Sequence, residues 1–330
     1  MFKSIILLNN KLQTKKLNTT EIKSLLFLLD DTDAEVVNLV EKKLLSYGVD
    51  ALPIIESELA NIQDENIIDL AAELVSKINY KQLLVEFKDW YNLPEKDLLQ
   101  GVYLITKFKY PNLEKAFLKD AIEKIKLNAW LDMRHDITAF EKVKILNYTF
   151  YDIHGFNGNV DNYQSSSNSF INEVLETKKG NPIMLCIIYM LVAQNLKLPV
   201  FGINLPQHFM LAFLEEDKLE LKSFDFISDK KMNAENRKVL FYINAFHKGG
   251  IFTKTSLEQF VDQMKIPSNP AYYLPCDNLS IVKRVLRNLA ASYKHEAELA
   301  KANQVLDILY LLGEPPLAHF TDITDSNFDE

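Results

Sequence analysis

Apolar side chains recur at every third or fourth position between Thr19 and Trp90. The clearest runs are Leu25, Leu26 and Leu29, then Val36, Val37, Val40 and Leu44, then Ile54, Ile55 and Leu59. This spacing places the apolar groups on one face of an α-helix, so it predicts a series of amphipathic helices. We therefore expect residues 1–95 to form a helical unit.

Polar residues stand where the ends of these helices should fall. Asn18 or Thr20 can cap the first helix. Carboxylates between residues 31 and 33 favour the start of the next helix, and Gly48 suits its end. Residues 28–59 resemble one repeat of the HEAT type, in which paired helices stack into a solenoid. An ordinary helical bundle is the alternative, and in both cases this unit is a scaffold without catalytic chemistry.

The pattern changes between residues 96 and 266, where short runs of aromatic and β-branched residues follow helical segments. These runs predict β-strands at Val200–Asn204, Phe209–Leu214, Leu219–Phe226 and Leu240–Ile243. The acidic stretch Glu215–Lys218 is the predicted hairpin turn between the second and third strands, and a loop rich in Asn, Gly, Ser and Tyr spans Tyr151–Asn168. A small antiparallel sheet beside helices indicates an α+β core.

Helical spacing returns between residues 267 and 312. The apolar positions of the two predicted helices are Ile281, Val285 and Leu289, then Leu299, Val305, Leu306 and Leu309. This pair is similar to one tetratricopeptide unit, and residues 313–330, with two consecutive prolines and an acidic end, are expected to be a mobile tail. The fold class is therefore α+β and predominantly helical. The low glycine content agrees with a mostly helical fold, because turn-dense all-β folds need more glycine. The chain has nine glycines in 330 residues, whereas the average content is about 7%.

The balance of charge limits the partners of the chain. Its 37 Lys and Arg residues are outnumbered by 45 Asp and Glu residues, and the net charge of −8 opposes binding to nucleic acid or anionic lipid. The longest apolar run, Ile183–Ala193, is shorter than the ~18 residues that cross a bilayer, and Met1–Leu8 lacks a signal-peptide core. We expect a cytoplasmic protein. Cys186 and Cys276 have neither disulfide nor zinc spacing, so no metal or cofactor is expected.

The sharpest local feature is the start of a helix at Pro182. Asn181 is a good N-cap, and proline suits the first helical position because its missing N–H would be unpaired there. The residues up to Gln194 are apolar nearly all round, which indicates a buried helix. Its amino end would favour an anion or lower the pKa of a nearby thiol. Cys186, however, lies one turn inside the helix between apolar neighbours, where packing is the simpler role.

Two polar residues stand at the ends of predicted strands. His208 precedes the strand Phe209–Leu214 and follows a proline-containing loop, a position from which a residue can be presented to a site. An ordinary hydrogen-bonded histidine is the alternative. Asn244 lies at the exit of the strand that contains Leu240–Ile243.

A set of short motifs follows in order along the second half of the chain. They are Gly158-Asn159, Asn168-Ser169-Phe170, residues 176–182, Leu198-Pro199, residues 204–209, and residues 243–246 with Gly249-Gly250. Together they resemble the SirB1 type of transglutaminase-like protein, over residues 98–312. The resemblance implies a papain-like transglutaminase core. In such a core a helix carries the nucleophilic cysteine at its start, and the sheet against which it packs presents a histidine and an acidic partner.

The resemblance gives a mixed result when it is carried over residue by residue. Pro182 occupies the position of the nucleophilic cysteine, and a proline side chain can neither attack nor transfer a proton. His208 matches the family histidine. Asn244 stands where the resemblance expects an aspartate; an asparagine can orient an imidazole but cannot stabilise its charged form. Asp225 is a second candidate partner for His208, although a strand residue that faces water is the simpler interpretation.

We therefore expect a non-catalytic regulatory module that binds a peptide or another protein, with a degenerate Cys-His-Asp site. The candidate binding residues are Asn181, Pro182, Asn204, Gln207, His154 and Tyr163. The alternative is a thiol hydrolase or acyltransferase that uses Cys186, His208 and Asn244. A purely structural helical-repeat protein is a third interpretation. The sequence leaves the oligomeric state open.

Overall fold

A computed structural model describes residues 18–134, 136–215, 237–265, 267 and 269–321 of the chain. The helices are α1 Thr19–Phe27, α2 Ala34–Tyr47, α3 Leu52–Leu59, α4 Glu65–Asn92, α5 Leu98–Lys107, α6 Lys115–Asp132, α7 Ala139–Asn147, α8 Ile171–Thr177, α9 Pro182–Asn195, α10 Lys254–Gln263, α11 Asn278–His295 and α12 Leu299–Leu311. The strands are β1 Asn157–Gly158, β2 Lys179–Gly180, β3 Val200–Asn204, β4 Phe209–Leu214, β5 Val239–Asn244 and β6 Gly250–Phe252. The chain divides into two compact units, residues 1–86 and residues 87–330, which are described separately.

The first unit contains α1, α2 and α3, and the residues that predict the helix ends do cap them. The Asn18 side chain accepts hydrogen bonds from two backbone N–H groups of α1, and Asp33 accepts one from the first turn of α2. Gly48 ends α2 with a φ of 62°, a conformation that favours glycine. The buried core of this unit includes Ile22, Leu26, Leu29, Val40, Leu44, Ala51, Ile55, Ala71 and Leu74. Leu26, Leu29, Val40, Leu44 and Ile55 belong to the runs that predict amphipathic helices, and the helical prediction is confirmed.

In the described part of the second unit, β3, β4, β5 and β6 form an antiparallel sheet in that order. The predicted strands Val200–Asn204 and Phe209–Leu214 have those bounds in the structure, and the prediction at Leu240–Ile243 is one residue short at each end of β5. The predicted strand Leu219–Phe226, with Asp225, and the predicted turn beyond Glu215 lie outside the described residues.

The sequence does not predict β6, because two consecutive glycines indicate a turn and not a strand. Gly249 does make the turn, with a φ of 68°. A Cβ at this position would also lie 2.0 Å from the side chain of Asn147. Gly250 then pairs with Asn244 and begins β6. Gly249 is therefore a turn residue and Gly250 a strand residue. The sequence pattern alone does not distinguish these two roles in neighbouring glycines.

The central helix of the second unit is α9. It begins at Pro182, as the sequence predicts, and residues 183–193 are all buried. The helix packs against α6 and α8 and against the strands β3 and β4. Apolar residues all round are what this buried stretch requires, because no face of residues 183–193 is exposed to water. In the described part of the chain, no helix combines the length and the apolar composition needed to cross a membrane.

The helix pair predicted between residues 267 and 312 is present as α11 and α12, which pack on each other. Helix α11 also packs against α5 and β3. Beyond α12, Glu314 forms an ion pair of 2.7 Å with Arg287, and Asn303 hydrogen-bonds both the N–H and the carbonyl of Phe320. These contacts tie part of the predicted tail to the helix pair.

Candidate functional site

A pocket of about 190 Å³ opens at the amino end of α9. Four segments of the second unit line it: the loop before α8, the start of α9, the β3–β4 connection and one face of α11. Four of the candidate binding residues meet in its wall, namely Tyr163, Asn181, Pro182 and Gln207. The sequence thus identifies most of the segments that build the pocket.

The start of α9 forms one wall. The Asn181 side-chain oxygen accepts a hydrogen bond from the Met184 N–H at 2.9 Å, and its backbone carbonyl accepts one from the Leu185 N–H at 3.1 Å. Pro182 has no N–H, so Ile183 carries the one helix-start N–H that neither the cap nor the helix engages in the described structure. This wall therefore contains the proline ring and a backbone donor, and it contains no nucleophilic side chain.

The loop that carries Tyr163 is built by residues of the sequence motifs. It follows β1, which pairs in parallel with β2, and a Cβ on Gly158 would lie 2.5 Å from the Phe246 ring. The Asn168 amide donates to the carbonyls of Asn162 at 2.7 Å and Tyr163 at 3.0 Å. The Tyr163 ring lies edge-on to Phe246, with 6.1 Å between ring centroids. The asparagines and the glycine of the motifs therefore position the tyrosine.

The fourth wall is a face of α11 that the sequence analysis overlooks. Arg284, Asn288, Ser292 and His295 follow each other along this face at intervals of four, four and three residues. That spacing is visible in the sequence. It carries little information there, because polar residues at helical spacing are also what any solvent-exposed face shows.

Arg284 is the most constrained residue of that wall. Its Nη1 donates to Oδ1 of Asn204 at 3.1 Å and to the carbonyl oxygen of Leu205 at 3.2 Å. Burial, followed by the charge of Arg287, lowers the pKa of its guanidinium below the ordinary value. The candidate binding residue Asn204 therefore contributes to the pocket by holding Arg284.

His208 lies next to the pocket wall, between two residues that line it. Gln207 has a φ of 57°, and the His208 N–H donates to the Pro206 carbonyl at 2.7 Å, so the β3–β4 connection is a tight turn. Although His208 is exposed overall, its ring packs edge-on to Phe260, with 5.0 Å between centroids. Burial of part of the ring, followed by the charges of Arg284 and His247, lowers the pKa of His208. Both effects favour the neutral form of the imidazole.

Asn244 ends β5 and caps the turn that follows. Its Oδ1 accepts hydrogen bonds from the N–H groups of Phe246 at 3.1 Å and His247 at 3.2 Å. The oxygen that would orient an imidazole in a Cys-His-Asn site is therefore engaged by the backbone. Asn244 fixes the local turn from which Phe246 reaches Tyr163.

The Cys186 thiol lies in the core. It is fully buried, and its Sγ donates to the Phe209 carbonyl over 3.6 Å. Burial raises the pKa of Cys186 to about 12. The second thiol, Cys276, donates to the Gly202 carbonyl at 3.3 Å, and burial raises its pKa to about 12 as well. Because the thiolate is the reactive form of cysteine, both thiols are inert at neutral pH in this conformation.

His154 follows a π-helical turn at Tyr148–Ile153 and is not among the residues that line the pocket. Its Nε2 is buried without a hydrogen-bond partner among the described residues. Burial, followed by the charges of Lys178 and Lys124, lowers the pKa of His154. In the part of the chain that the structure describes, no cluster of His, Cys, Asp and Glu side chains has the arrangement of a metal site.

Comparison with known protein families agrees with this architecture. A family model described as the transglutaminase-like superfamily matches residues 116–287, more than half of the chain. The matched region contains α9, the antiparallel sheet and the part of α11 that carries Arg284. It therefore includes three of the four segments that line the pocket in full, and of the α11 face it includes Arg284.

Individual relatives extend the match. A UPF0162 protein of Xylella fastidiosa (strain 9a5c) is 26% identical over 245 residues, which cover 72% of this chain and 81% of that protein. A UPF0162 protein of the Temecula1 strain is 28% identical over 246 residues. The F-box only protein 21 of Homo sapiens is 24% identical over 252 residues, 68% of this chain but 37% of that protein. No solved structure gave a significant match. The chain belongs to the transglutaminase-like superfamily.

Proposed function

We propose that this chain is a SirB1-type member of the superfamily that binds a peptide, or a segment of another protein, without cleaving or cross-linking it. The binding site is the pocket at the start of α9. The observation that carries the proposal is Pro182 in the pocket wall, at the position where the resemblance expects the nucleophilic cysteine. A proline ring offers apolar contact surface and no reactive atom.

The composition of the pocket supports a peptide ligand. The amides of Gln164, Gln207 and Asn288 can exchange hydrogen bonds with peptide groups, and Pro182 and Phe209 offer apolar contacts. The volume of about 190 Å³ is smaller than the roughly 300–1,000 Å³ of pockets that enclose drug-sized ligands. A single residue of a longer chain therefore fits inside, while the rest of that chain lies across the surface.

The remaining parts of the chain have a place in the same proposal. We assign residues 1–95 to a HEAT-like helical scaffold, residues 96–266 to the core, and residues 267–312 to a tetratricopeptide-like helix pair. Helical repeats commonly present extended surfaces to protein partners. The net charge of −8 favours a cytoplasmic protein partner over nucleic acid or membrane.

A thiol hydrolase or acyltransferase that uses Cys186, His208 and Asn244 is the alternative from a different class. It requires a thiolate within hydrogen-bond reach of an imidazole. The burial of Cys186, its raised pKa and the capping role of Asn244 all count against it. Binding without chemistry is the simpler account of the same residues.

The test of the proposal is a selection of random decapeptides, displayed with free carboxyl ends, against the full chain. We expect the selection to enrich a set of related peptides. Resynthesised peptides should lose most of their affinity for the Ala291→Trp variant, because Ala291 is an exposed pocket residue and an indole there fills the mouth without entering the core.

The matched control is Ala300→Trp, which places the same side chain at an exposed alanine of α12 outside the pocket. Affinity for this variant should stay within about twofold of the unmodified chain, since a distant surface substitution is nearly neutral. Failure to enrich any peptide, or equal loss of binding in both tryptophan variants, would contradict the proposal.

A further inference from the structure

The charge of the pocket differs from the charge of the chain. Acidic residues outnumber basic ones in the sequence, 45 to 37. Among the described residues that line the pocket there is an arginine, Arg284, and a histidine, His295, and there is no Asp or Glu. The carboxylate next in sequence, Glu296, accepts a hydrogen bond from the Ser166 N–H at 2.7 Å.

Arg284 has neutral partners, and this distinguishes it from its neighbour on the same helix. In the described structure Arg284 forms hydrogen bonds to an amide oxygen and a carbonyl oxygen, and no carboxylate lies within ion-pair distance. Arg287, three residues later, holds Glu314 with two donors, Nε at 3.2 Å and Nη2 at 2.7 Å. Among the described residues, Arg287 thus has a carboxylate as its counter-charge and Arg284 has none.

Arg284 uses one nitrogen of its guanidinium for its bonds to described residues, and this leaves one edge of the group available for a ligand. A guanidinium has five N–H donors, and the two bonds to Asn204 and Leu205 both start from Nη1. The Nε and Nη2 donors are not used by any described residue. This is the edge with which Arg287 binds its carboxylate, and it matches the two oxygens of a carboxylate in a fork.

On the basis of the proposed function, we infer that the pocket recognises a carboxylate of its peptide ligand, held by the Nε and Nη2 donors of Arg284. The carboxylate is either the carboxyl end of a chain or an Asp or Glu side chain. A single fixed cation matches the single charge of a carboxylate better than the charge of about −1.5 to −2 of a phosphorylated residue. Asn204 and Leu205 act as positioning groups, because they hold the guanidinium at the pocket.

The experiment is a titration of the isotope-labelled full chain with small defined probes, followed by NMR at the Arg284 Nε–H and at the backbone amides. N-acetylphenylalanine carries a terminal carboxylate, and N-acetylglutamate α-amide carries a side-chain carboxylate. Their neutral counterparts are N-acetylphenylalaninamide and N-acetylglutaminamide. At least one carboxylate probe should shift the Arg284 resonance and bind roughly tenfold or more tightly than its amide, as expected for a charge-assisted pair. The probe that responds shows whether the pocket recognises the carboxyl end of a chain or an acidic side chain.

Two arginine variants complete the design. Arg284→Lys keeps the charge but loses the pair of parallel N–H donors. It should therefore lower the affinity for the responding probe by roughly fivefold or more. Arg287→Gln, on the same helix but paired with Glu314, should leave binding within about twofold. Thermal melting of both variants establishes that they are folded.

The outcomes separate this inference from the proposed function. If the selected peptides bind the pocket but carboxylate and amide probes bind equally, the carboxylate inference is wrong and the peptide-binding proposal stands. If inorganic phosphate shifts Arg284 at lower concentration than either carboxylate, the inference is also wrong. If no probe shifts Arg284, the inference fails, and the peptide selection then decides the proposed function independently.

Discussion

Two regions of the same helix lie four residues apart and have opposite properties. The start of α9, at Pro182, borders a pocket lined by polar side chains. The turn around Cys186 is enclosed by apolar residues and is fully buried. A nucleophilic thiol belongs to the first region in the family that the chain resembles. In this chain the thiol of α9, Cys186, lies in the second region, where burial raises its pKa to about 12.

A cysteine on the helix that carries the nucleophile in the family is therefore not sufficient for reactivity. The same side chain is reactive at an open helix start and inert one turn inside a core, because the thiolate is stabilised in the first place and destabilised in the second. In our proposal, His208 matches the family histidine, while Pro182, a pocket residue without a reactive side-chain atom, stands at the position of the nucleophile.

The most drastic way to break this comparison is the Pro182→Cys substitution. A thiol there would border the pocket at a helix start, where the pKa of cysteine is commonly lowered, while Cys186 stays buried. Iodoacetamide at pH 7 should modify residue 182 at least about 10³ times faster than Cys186, as measured by peptide mass mapping over time. Pro182→Ser, which adds no thiol, is the control. Similar slow rates at both positions would mean that the helix start is not accessible.

Placing a charge in the core around Cys186 and, for comparison, at the pocket rim on α11 gives the next largest contrast. Cys186→Asp should lower the free energy of unfolding by about 4 kcal/mol, because the fully buried site removes a carboxylate from water. Ala291→Asp, at the exposed rim, should change it by no more than about 0.5 kcal/mol. Urea titration followed by tryptophan fluorescence measures this, since Trp90 and Trp130 both belong to the second unit. A small effect of Cys186→Asp would indicate that water reaches the thiol.

Removing the cap of α9 should have a smaller effect. Asn181→Ala deletes the bond to the Met184 N–H, and we expect a loss of about 1 kcal/mol in the free energy of unfolding. Asn181→Asp keeps an accepting oxygen and should recover most of that loss. If alanine and aspartate behaved alike, the side-chain oxygen of Asn181 would not be stabilising the helix start.

The smallest expected effect is on the pH dependence of stability, and it concerns His154 and His208, the two candidate site histidines of the sequence analysis. The pKa of His154 is lowered in the folded chain, so below about pH 6.5 the unfolded chain binds more protons and stability falls as the pH falls. His154→Gln should reduce this loss between pH 7 and pH 5. His208→Gln should reduce it less, because His208 is more exposed. Urea titration at each pH measures both effects. A larger effect at His208 than at His154 would mean that His208 is the more buried of the two in the folded chain.

Elements whose determinants are local could be predicted from the sequence. Asn181 and Pro182 specify a helix start through their own hydrogen-bonding properties, and α9 begins there. The bounds of β3 and β4 follow from their β-branched and aromatic residues. The pair β1–β2 could not be predicted, because two-residue strands have no alternation and their pairing joins residues about 22 positions apart.

The pocket was predictable only in part, for a similar reason. Tyr163, Asn181, Pro182 and Gln207 are found through motifs, but α11 reaches the pocket only through tertiary packing. Arg284 therefore resembles any solvated helix residue in the sequence. The role of Asn244 was also hidden, because its capping bonds depend on the turn that follows β5.

The most direct test of the account is the rate at which iodoacetamide modifies Cys186 in the unmodified, folded chain at pH 7, compared with the same chain in urea. A rise in the thiol pKa from about 9 to about 12 predicts that folding slows the reaction about 10³-fold or more. Cys276, with a similar pKa, should be protected to a comparable degree. Fast modification of Cys186 in the folded chain, lost on His208→Gln substitution, would contradict the account and favour thiol chemistry.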